Sequence, residues 1–193
     1  MKALPFRIVL MILAGISLPH LSRGSSASLD VVHALKAGGT VLMIRHAHAP
    51  GSGDPAHFKI GDCATQRNLD ERGREQARAM GAFLRRHGIT KARLYSSQWC
   101  RCLETARRMD IGAVQPLPAL NSFYNRPEDR TRRIDALNAF LTEQPRDGEL
   151  IILITHYVTI AAMTGEGVSS GEGVVLQWNN DSPKVVGRLD FDL

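Results

Sequence analysis

Two apolar runs of this 193-residue chain end in histidine. Thr40-Val41-Leu42-Met43-Ile44 leads into Arg45-His46-Ala47, and Leu150-Ile151-Ile152-Leu153-Ile154 leads into Thr155-His156. A buried strand that stops at an Arg-His pair delivers a cation and a nucleophile together to the end of a sheet, where open α/β sheets bind ligands. If the two strands are neighbours, their histidines converge. A third segment, Tyr95-Ser96-Ser97-Gln98-Trp99-Cys100-Arg101, runs from a strand through Ser-Ser at a helix cap and sets Arg101 in the first helical turn. Helix N-termini already favour anions, so these groups together suit a phosphoryl ligand.

The elements that must position them follow from periodicity. A short helix over Leu29 to Lys36, capped by Ser28, stops at Gly38-Gly39 and precedes a strand over Thr40 to Arg45. A long polar loop, Pro50 to Asn68, comes next. Ala77, Met80, Phe83 and Leu84 give Asp70 to His87 one apolar face before Gly88, the pattern of an amphipathic helix with a glycine stop. A strand over Arg93 to Ser96, a helix over Gln98 to Met109 and a strand over Val114 to Leu117 follow. Pro127 introduces a helix over Glu128 to Gln144. Glu149 to Thr155 is the second strongly apolar strand, and Val158 to Met163 a short helix. Gly173 to Trp178 and Lys184 to Leu189 close the chain as two strands around a turn at Asn179 to Pro183. Such alternation predicts an α/β three-layer sandwich, with a mostly parallel central sheet and helices on both faces. The chain shows neither an internal repeat nor an interdomain linker.

Lys2 and Arg7, the apolar stretch Ile8 to Leu18 and the small residues Ser25-Ser26-Ala27 form the pattern of a secretory signal peptide cut after Ala27. The apolar stretch is too short to span a bilayer. Cleavage would leave one domain, 28–193, in the periplasm or outside the cell, with no stable membrane span. It would also remove Lys2, Arg7 and Arg23 and no acid, lowering the formal charge of +5 by three. The remaining basic residues alternate with acids, which argues against a nucleic-acid partner and leaves room for a small anionic one. Cys63, Cys100 and Cys102 are the three cysteines. An odd count in an exported chain implies one disulfide and one free thiol, with Cys63 paired to Cys100 or Cys102. Three unpaired thiols or a metal site are the alternatives.

Arg45-His46-Ala47, Asn68-Leu69-Asp70-Glu71-Arg72-Gly73-Arg74-Glu75-Gln76-Ala77, the run Ser96 to Ala106 and Thr155-His156, in that order along the chain, together resemble the histidine phosphatase superfamily, in its phosphoglycerate mutase-like branch. The corresponding patterns there are Arg-His-Gly, Ser-Ser-x-x-x-Arg-x-x-x-Thr-Ala, a later strand ending in His, and Leu-x-x-x-Gly-x-x-Gln-Ala. The resemblance implies that His46 takes a phosphoryl group as phosphohistidine, while Arg45, Arg101 and His156 clamp its oxygens. It implies no metal and no cofactor, since the cations are side chains. Ala47 stands where the family has Gly.

The family's acid commonly follows the third strand in a Leu-x-Glu setting. Here the chain reads Leu120-Asn121-Ser122, and a neutral Asn supplies no proton. Glu172, flanked by Gly171 and Gly173, is the preferred substitute, with Glu128 and Asp129 as alternatives. Gln66, Arg67 and His48 are polar candidates for substrate contact in the loop after the first strand, and Trp99 reads as a packing residue. The function these features imply is an exported phosphatase that hydrolyses phosphomonoesters through His46. Its substrate would be a small phosphorylated molecule or a phosphorylated envelope glycan. The alternative is a non-catalytic domain of the same fold that binds phosphoryl ligands.

Overall fold

The structure, a computed structural model, describes residues 24–145, 148–179 and 182–191. The expected leader, apart from its last four residues, and Asn180-Asp181 of the closing turn lie outside the described residues. In chain order the elements are α1 (Gly24–Ala37), β1 (Thr40–Arg45), α2 (Glu71–Arg86), β2 (Arg93–Ser96), α3 (Cys100–Met109), β3 (Val114–Pro116), α4 (Arg130–Glu143), β4 (Ile151–Thr155), α5 (Tyr157–Thr164), β5 (Gly173–Asn179) and β6 (Ser182–Leu189). Short 3-10 turns lie at Cys63–Thr65, Pro118–Leu120 and Pro127–Asp129.

The six strands form one sheet in the order β3-β2-β4-β1-β5-β6. β3, β2, β4 and β1 run parallel, while β5 lies antiparallel to β1 and β6 antiparallel to β5. The two strongest apolar runs are therefore the two central strands, buried on both faces, which is why neither alternates with polar residues. One face carries α1, α2 and α3 over Leu42, Ile44, Leu94, Ile152 and Ile154. The other carries α4 and α5 over Val41, Met43, Ile151 and Leu153. Each fully buried aliphatic side chain in these layers contributes roughly 1.5–3 kcal/mol. This is the three-layer α/β sandwich with helices on both faces.

Boundaries shift where polar side chains act outside the helix. α1 begins at Gly24 rather than Leu29, so a cut after Ala27 would remove its first turn. α3 begins at Cys100, two residues after the expected Gln98, because Ser97 turns inward instead of capping it. α4 starts at Arg130, after the turn at Pro127–Asp129. β4 starts at Ile151, leaving Glu149 and Leu150 outside it. In α2, by contrast, Asp70 caps the helix by accepting from the Gly73 N–H at 2.8 Å. Gly73 itself is required, since a Cβ there would lie 2.0 Å from the His48 carbonyl oxygen. That close approach seats the first turn of α2 against the loop that follows His46.

Candidate active site

β1 and β4 pair in parallel with Arg45 opposite Thr155, and the His46 N–H extends the ladder to the Thr155 carbonyl at 3.0 Å. The two strands thus end level, and His46 and His156 leave the sheet side by side with ring centroids 5.5 Å apart. β2, on the other side of β4, feeds Ser97 and then α3, whose first turn holds Arg101 beside both rings. Convergence is a consequence of strand order.

His46 is 2 % exposed. Its Nδ1 lies 2.8 Å from the Ala47 carbonyl oxygen, which only accepts, so Nδ1 carries the proton. Its Nε2 receives the Arg101 Nε–H at 3.2 Å, so that nitrogen presents its lone pair. Burial, and next the Arg101 charge, push the His46 pKa well below its ordinary value. The result is a neutral imidazole with a fixed tautomer, whose unprotonated Nε2 is held by Arg101 until a phosphoryl group takes that guanidinium. Ala47 has ordinary backbone geometry, since Asp110 is the only non-glycine residue with positive φ among the described residues. Its N–H donates to Thr105 Oγ1 at 3.1 Å, and Thr105 in turn donates to the Arg101 carbonyl at 2.7 Å. That pair of bonds ties the end of β1 to α3 and gives the threonine of the Ser96 to Ala106 run a positional meaning.

His156 is held in the complementary tautomer. Arg101 Nη2 faces its Nδ1 at 3.5 Å, and its Nε2 lies 2.9 Å from Ser97 Oγ. A guanidinium only donates, so Nε2–H donates to Ser97, whose hydroxyl donates to Asn121 Oδ1 at 3.2 Å. Asn121 also accepts from the Gln98 N–H at 2.8 Å and donates to Gln98 Oε1 at 2.8 Å. Its amide is fully engaged in positioning. Counting the Leu-x-Glu pattern along the chain puts Ser122, not Asn121, at the acid's place, and Ser122 lines the cavity.

Arg101, 3 % exposed, has a partner at each guanidinium nitrogen. Besides the histidines it makes a two-point ion pair with Asp54, Nη1 to Oδ1 at 2.8 Å and Nη2 to Oδ2 at 3.2 Å. Asp54 also accepts from Trp99 Nε1 at 3.0 Å and from the Arg67 N–H at 3.1 Å. Burial raises the Asp54 pKa, but the Arg101 pair and the indole outweigh it and hold the carboxyl below its usual range. Nothing in the sequence set this residue apart: it is one acid beside Pro55, and its role arises only when the loop folds over α3. Trp99 is a packing residue, stacked on Phe58 at 4.8 Å, that also orients this carboxylate.

A cavity of about 450 Å³ opens over these groups. Arg45, His46, Arg67, Arg101 and His156 line it, so the expected clamp is assembled. Arg45 donates to the Val168 carbonyl at 3.0 Å and lies over the Tyr157 ring. Arg67 faces the cavity while holding the loop through the Gly53 carbonyl at 2.8 Å and the Ala49 carbonyl.

Two expectations are corrected. Gln66 is buried and structural, accepting from the Cys100 N–H at 2.9 Å and donating to the Lys59 carbonyl at 2.8 Å. Glu172 does not line the cavity; its carboxylate accepts from the Ser169 N–H and from Arg188 Nη2, both at 2.8 Å. Burial raises its pKa, and those two partners override that and keep it ionised. Glu128 and His48 also lie off the cavity, the latter 3.6 Å from Asp70, whereas Asp129 lines it. Asp129 pairs with Arg132 at 2.7 Å, which holds its carboxyl below the ordinary range.

The disulfide joins Cys63 to Cys100, Cα to Cα 5.7 Å, and pins the cavity loop to the start of α3. Cys102, one helical step further, points inward to the Thr155 carbonyl, and burial pushes its thiol up to about 12. Among the described residues no three His, Cys, Asp or Glu side chains are grouped to hold a metal.

Both histidines are neutral when folded, which has a sign. Unfolded imidazoles take up protons below about pH 6.5, while the folded ones resist, so stability is full above that pH and is lost as pH falls. Each contributes a slope of up to about 1.4 kcal/mol per pH unit. Denaturant unfolding at pH 7, 6 and 5 is expected to show this loss and a shallower slope for His156→Asn. A flat profile in wild type would contradict the neutral assignment.

Residues 41–125 match the family model described as histidine phosphatase superfamily (branch 1), a span that holds Arg45, His46 and Arg101. No curated protein matches the sequence significantly. Among solved structures, the fold is similar to that of the protein histidine phosphatase SixA complexed with tungstate, at 17% identity and TM-score 0.58, covering 79% of this chain and 97% of that one. It is also similar to a putative alpha-ribazole-5'-P phosphatase from Escherichia coli, at 18% identity and TM-score 0.57, covering 76% and 93%. A phosphoserine phosphatase variant from Entamoeba histolytica in complex with phosphoserine gives 12% identity and TM-score 0.58, covering 79% and 97%. Residues 41–125 thus resemble the histidine phosphatase superfamily, the fold is similar to that of these phosphatases, and Arg45, His46, Arg101 and His156 cluster in one cavity.

Proposed function

We propose that this protein is an exported phosphatase that hydrolyses phosphomonoesters through a phosphohistidine on His46. The observation that carries the reading is the His46 tautomer: Nδ1–H fixed on the Ala47 carbonyl and Nε2 unprotonated, accepting from Arg101 Nε–H. In the first step Nε2 attacks phosphorus and the ester oxygen departs. In the second, water attacks the phosphohistidine and releases phosphate. Arg45 and Arg101 offset the charge on the non-bridging oxygens. Burial, and next the Arg101 charge, disfavour protonation of His156; a bound dianion offsets that charge, and Nδ1 of His156 then becomes a donor to the same oxygens.

Proton delivery to the leaving oxygen is the weak part of the site. Asp54 and Asp129, the two carboxylates lining the cavity, are both kept ionised by arginines. Asp129 lines the cavity as Ser122 does and, unlike Asp54, is not bonded to Arg101 and Trp99, so it is the better of the two to exchange a proton with the leaving group or water. A positioned acid is worth roughly 10²–10⁴ in rate. Without a fully effective one, turnover should depend steeply on the leaving group. p-Nitrophenyl phosphate is expected to react at least about 100-fold faster than an alkyl phosphate in kcat/KM. Equal rates would show an efficient acid; binding of both without turnover from pH 5 to 7.5 would favour the non-catalytic alternative.

Export is supported by the leader-like N-terminus and by the Cys63–Cys100 disulfide, a bond that persists in oxidising compartments. A mature N-terminus at Ser28 in the exported fraction tests it, and an intact Met1 there would refute cleavage. A phosphorylated envelope glycan fits that location as substrate class, alongside small phosphorylated molecules.

A further inference from the structure

The clamp around His46 occupies only the floor of the cavity, and its outer half has a composition of its own. Ile60, Tyr124 and Tyr157 are 46 %, 64 % and 48 % exposed, and all three line the cavity. Among the described residues only one other large hydrophobic side chain, Val186, is exposed, and it lies on edge strand β6. Exposed apolar side chains scattered singly need no explanation, but their concentration at the mouth of one polar cavity does. Tyr157 sits beneath the Arg45 guanidinium, 5.8 Å from it, so its ring adjoins a cation of the clamp.

The charge is equally uneven. Five guanidinium groups line the cavity, those of Arg45, Arg67, Arg101, Arg126 and Arg133, against the carboxylates of Asp54 and Asp129. A phosphoryl dianion at His46 leaves one positive charge over. That excess sits at the mouth. Arg126 is exposed, and no described residue forms a hydrogen bond or ion pair with its guanidinium, while Asp129 is taken by Arg132 at 2.7 Å. Next to it, Arg133 donates from Nη1 to the Pro118 carbonyl at 2.6 Å and has only a long 3.9 Å approach to Asp129. Its buried Nε has no partner.

We propose that the outer half of the cavity is a subsite for a ring-bearing leaving group that carries a second anionic group. The ring lies against Tyr124 and Tyr157, whose faces suit a planar or pyranose ring, and the anion meets Arg126 and Arg133. The inference rests on the phosphatase reading for its inner half but names what that reading leaves open: substrates with two separated anionic groups, a phosphomonoester at one end and a carboxylate or second phosphate at the other.

Two aryl probes of matched shape test this: 4-carboxyphenyl phosphate and its neutral analogue 4-carbamoylphenyl phosphate. Wild type is expected to favour the carboxylate probe by about tenfold in kcat/KM, the value of one charge-assisted contact. The preference should shrink as salt rises, because Arg126 is exposed. Arg126→Ala should bring the ratio to near one while leaving the neutral probe within about twofold of wild type. Tyr124→Ser should weaken both probes alike through KM. A wild-type ratio of one or less, or a preference that survives Arg126→Ala, overturns the subsite. If neither probe is hydrolysed, the phosphatase reading fails, and calorimetry with the same pair still decides the subsite. Tighter binding of the carboxylate probe that Arg126→Ala removes supports it, and equal binding refutes it.

Discussion

Replacing His46 with asparagine is expected to lower phosphatase turnover by about 10⁴-fold or more, with the fold retained. No other neutral imidazole in the cavity can substitute, because His156 turns its protonated Nε2 to Ser97 and its Nδ1 to Arg101. Water alone would have to attack a phosphoryl group clamped by arginines, without the two-step route. Folding should survive, since His46 is buried without charge and asparagine can keep a donor near the Ala47 carbonyl. Circular dichroism and thermal unfolding check this separately from turnover. Activity within about tenfold of wild type would remove His46 from the chemistry.

Arg101→Lys is expected to lower kcat/KM by roughly 10²–10³ while keeping the formal charge. An ammonium cannot donate to His46, His156 and Asp54 at once from a planar fork, so what is lost is orientation rather than charge. The loss should fall mainly on kcat, because the dianion still meets Arg45 and Arg67 in the ground state. Arg101→Ala is the poorer test: it leaves Asp54, with its side chain 7% exposed, as a buried charge without its main partner, a change that costs about 3–5 kcal/mol. Pairing it with Asp54→Asn should recover much of that stability and none of the activity. If Arg101→Lys turns over like wild type, positioning by the guanidinium is not part of the mechanism.

The parts of this site that were legible in the sequence are those set by strand ends. Thr40–Arg45 and Arg93–Ser96 were readable to the residue, because apolar runs stop where the sheet stops. Arg45, His46, Arg101 and His156 followed from them, since a parallel sheet brings the ends of β1 and β4 level and β2 delivers α3 to the same edge. Loop closure was not legible. Asp54 gains its role from a loop folding over α3, and Gln66, a polar residue of the same loop, holds it to the Cys100 N–H rather than facing the cavity. Glu172 failed for a related reason: the flanking glycines serve a turn whose carboxylate bonds its own Ser169 N–H, away from the cavity. Spacing alone admits both Cys100 and Cys102 as the partner of Cys63. On a helix, residues two apart face different sides, and here Cys100 faces the loop while Cys102 faces Thr155 and His156.

The acid's absence at Leu120-Asn121-Ser122 acquires a physical reason as well. Ser122 stands at the acid's place and carries no carboxyl, while Asn121 beside it anchors Ser97 and Gln98 and through Ser97 sets the His156 tautomer, so this segment stabilises the clamp instead of protonating the leaving group.

The most direct measurement is capture of the phosphoenzyme. Wild-type protein quenched in base during turnover of an aryl phosphate, then digested and examined by mass spectrometry, should yield an acid-labile phosphoryl adduct on His46. His46→Asn should yield none. Turnover in wild type with no adduct at any quench time, or with the adduct on another residue, would contradict the account.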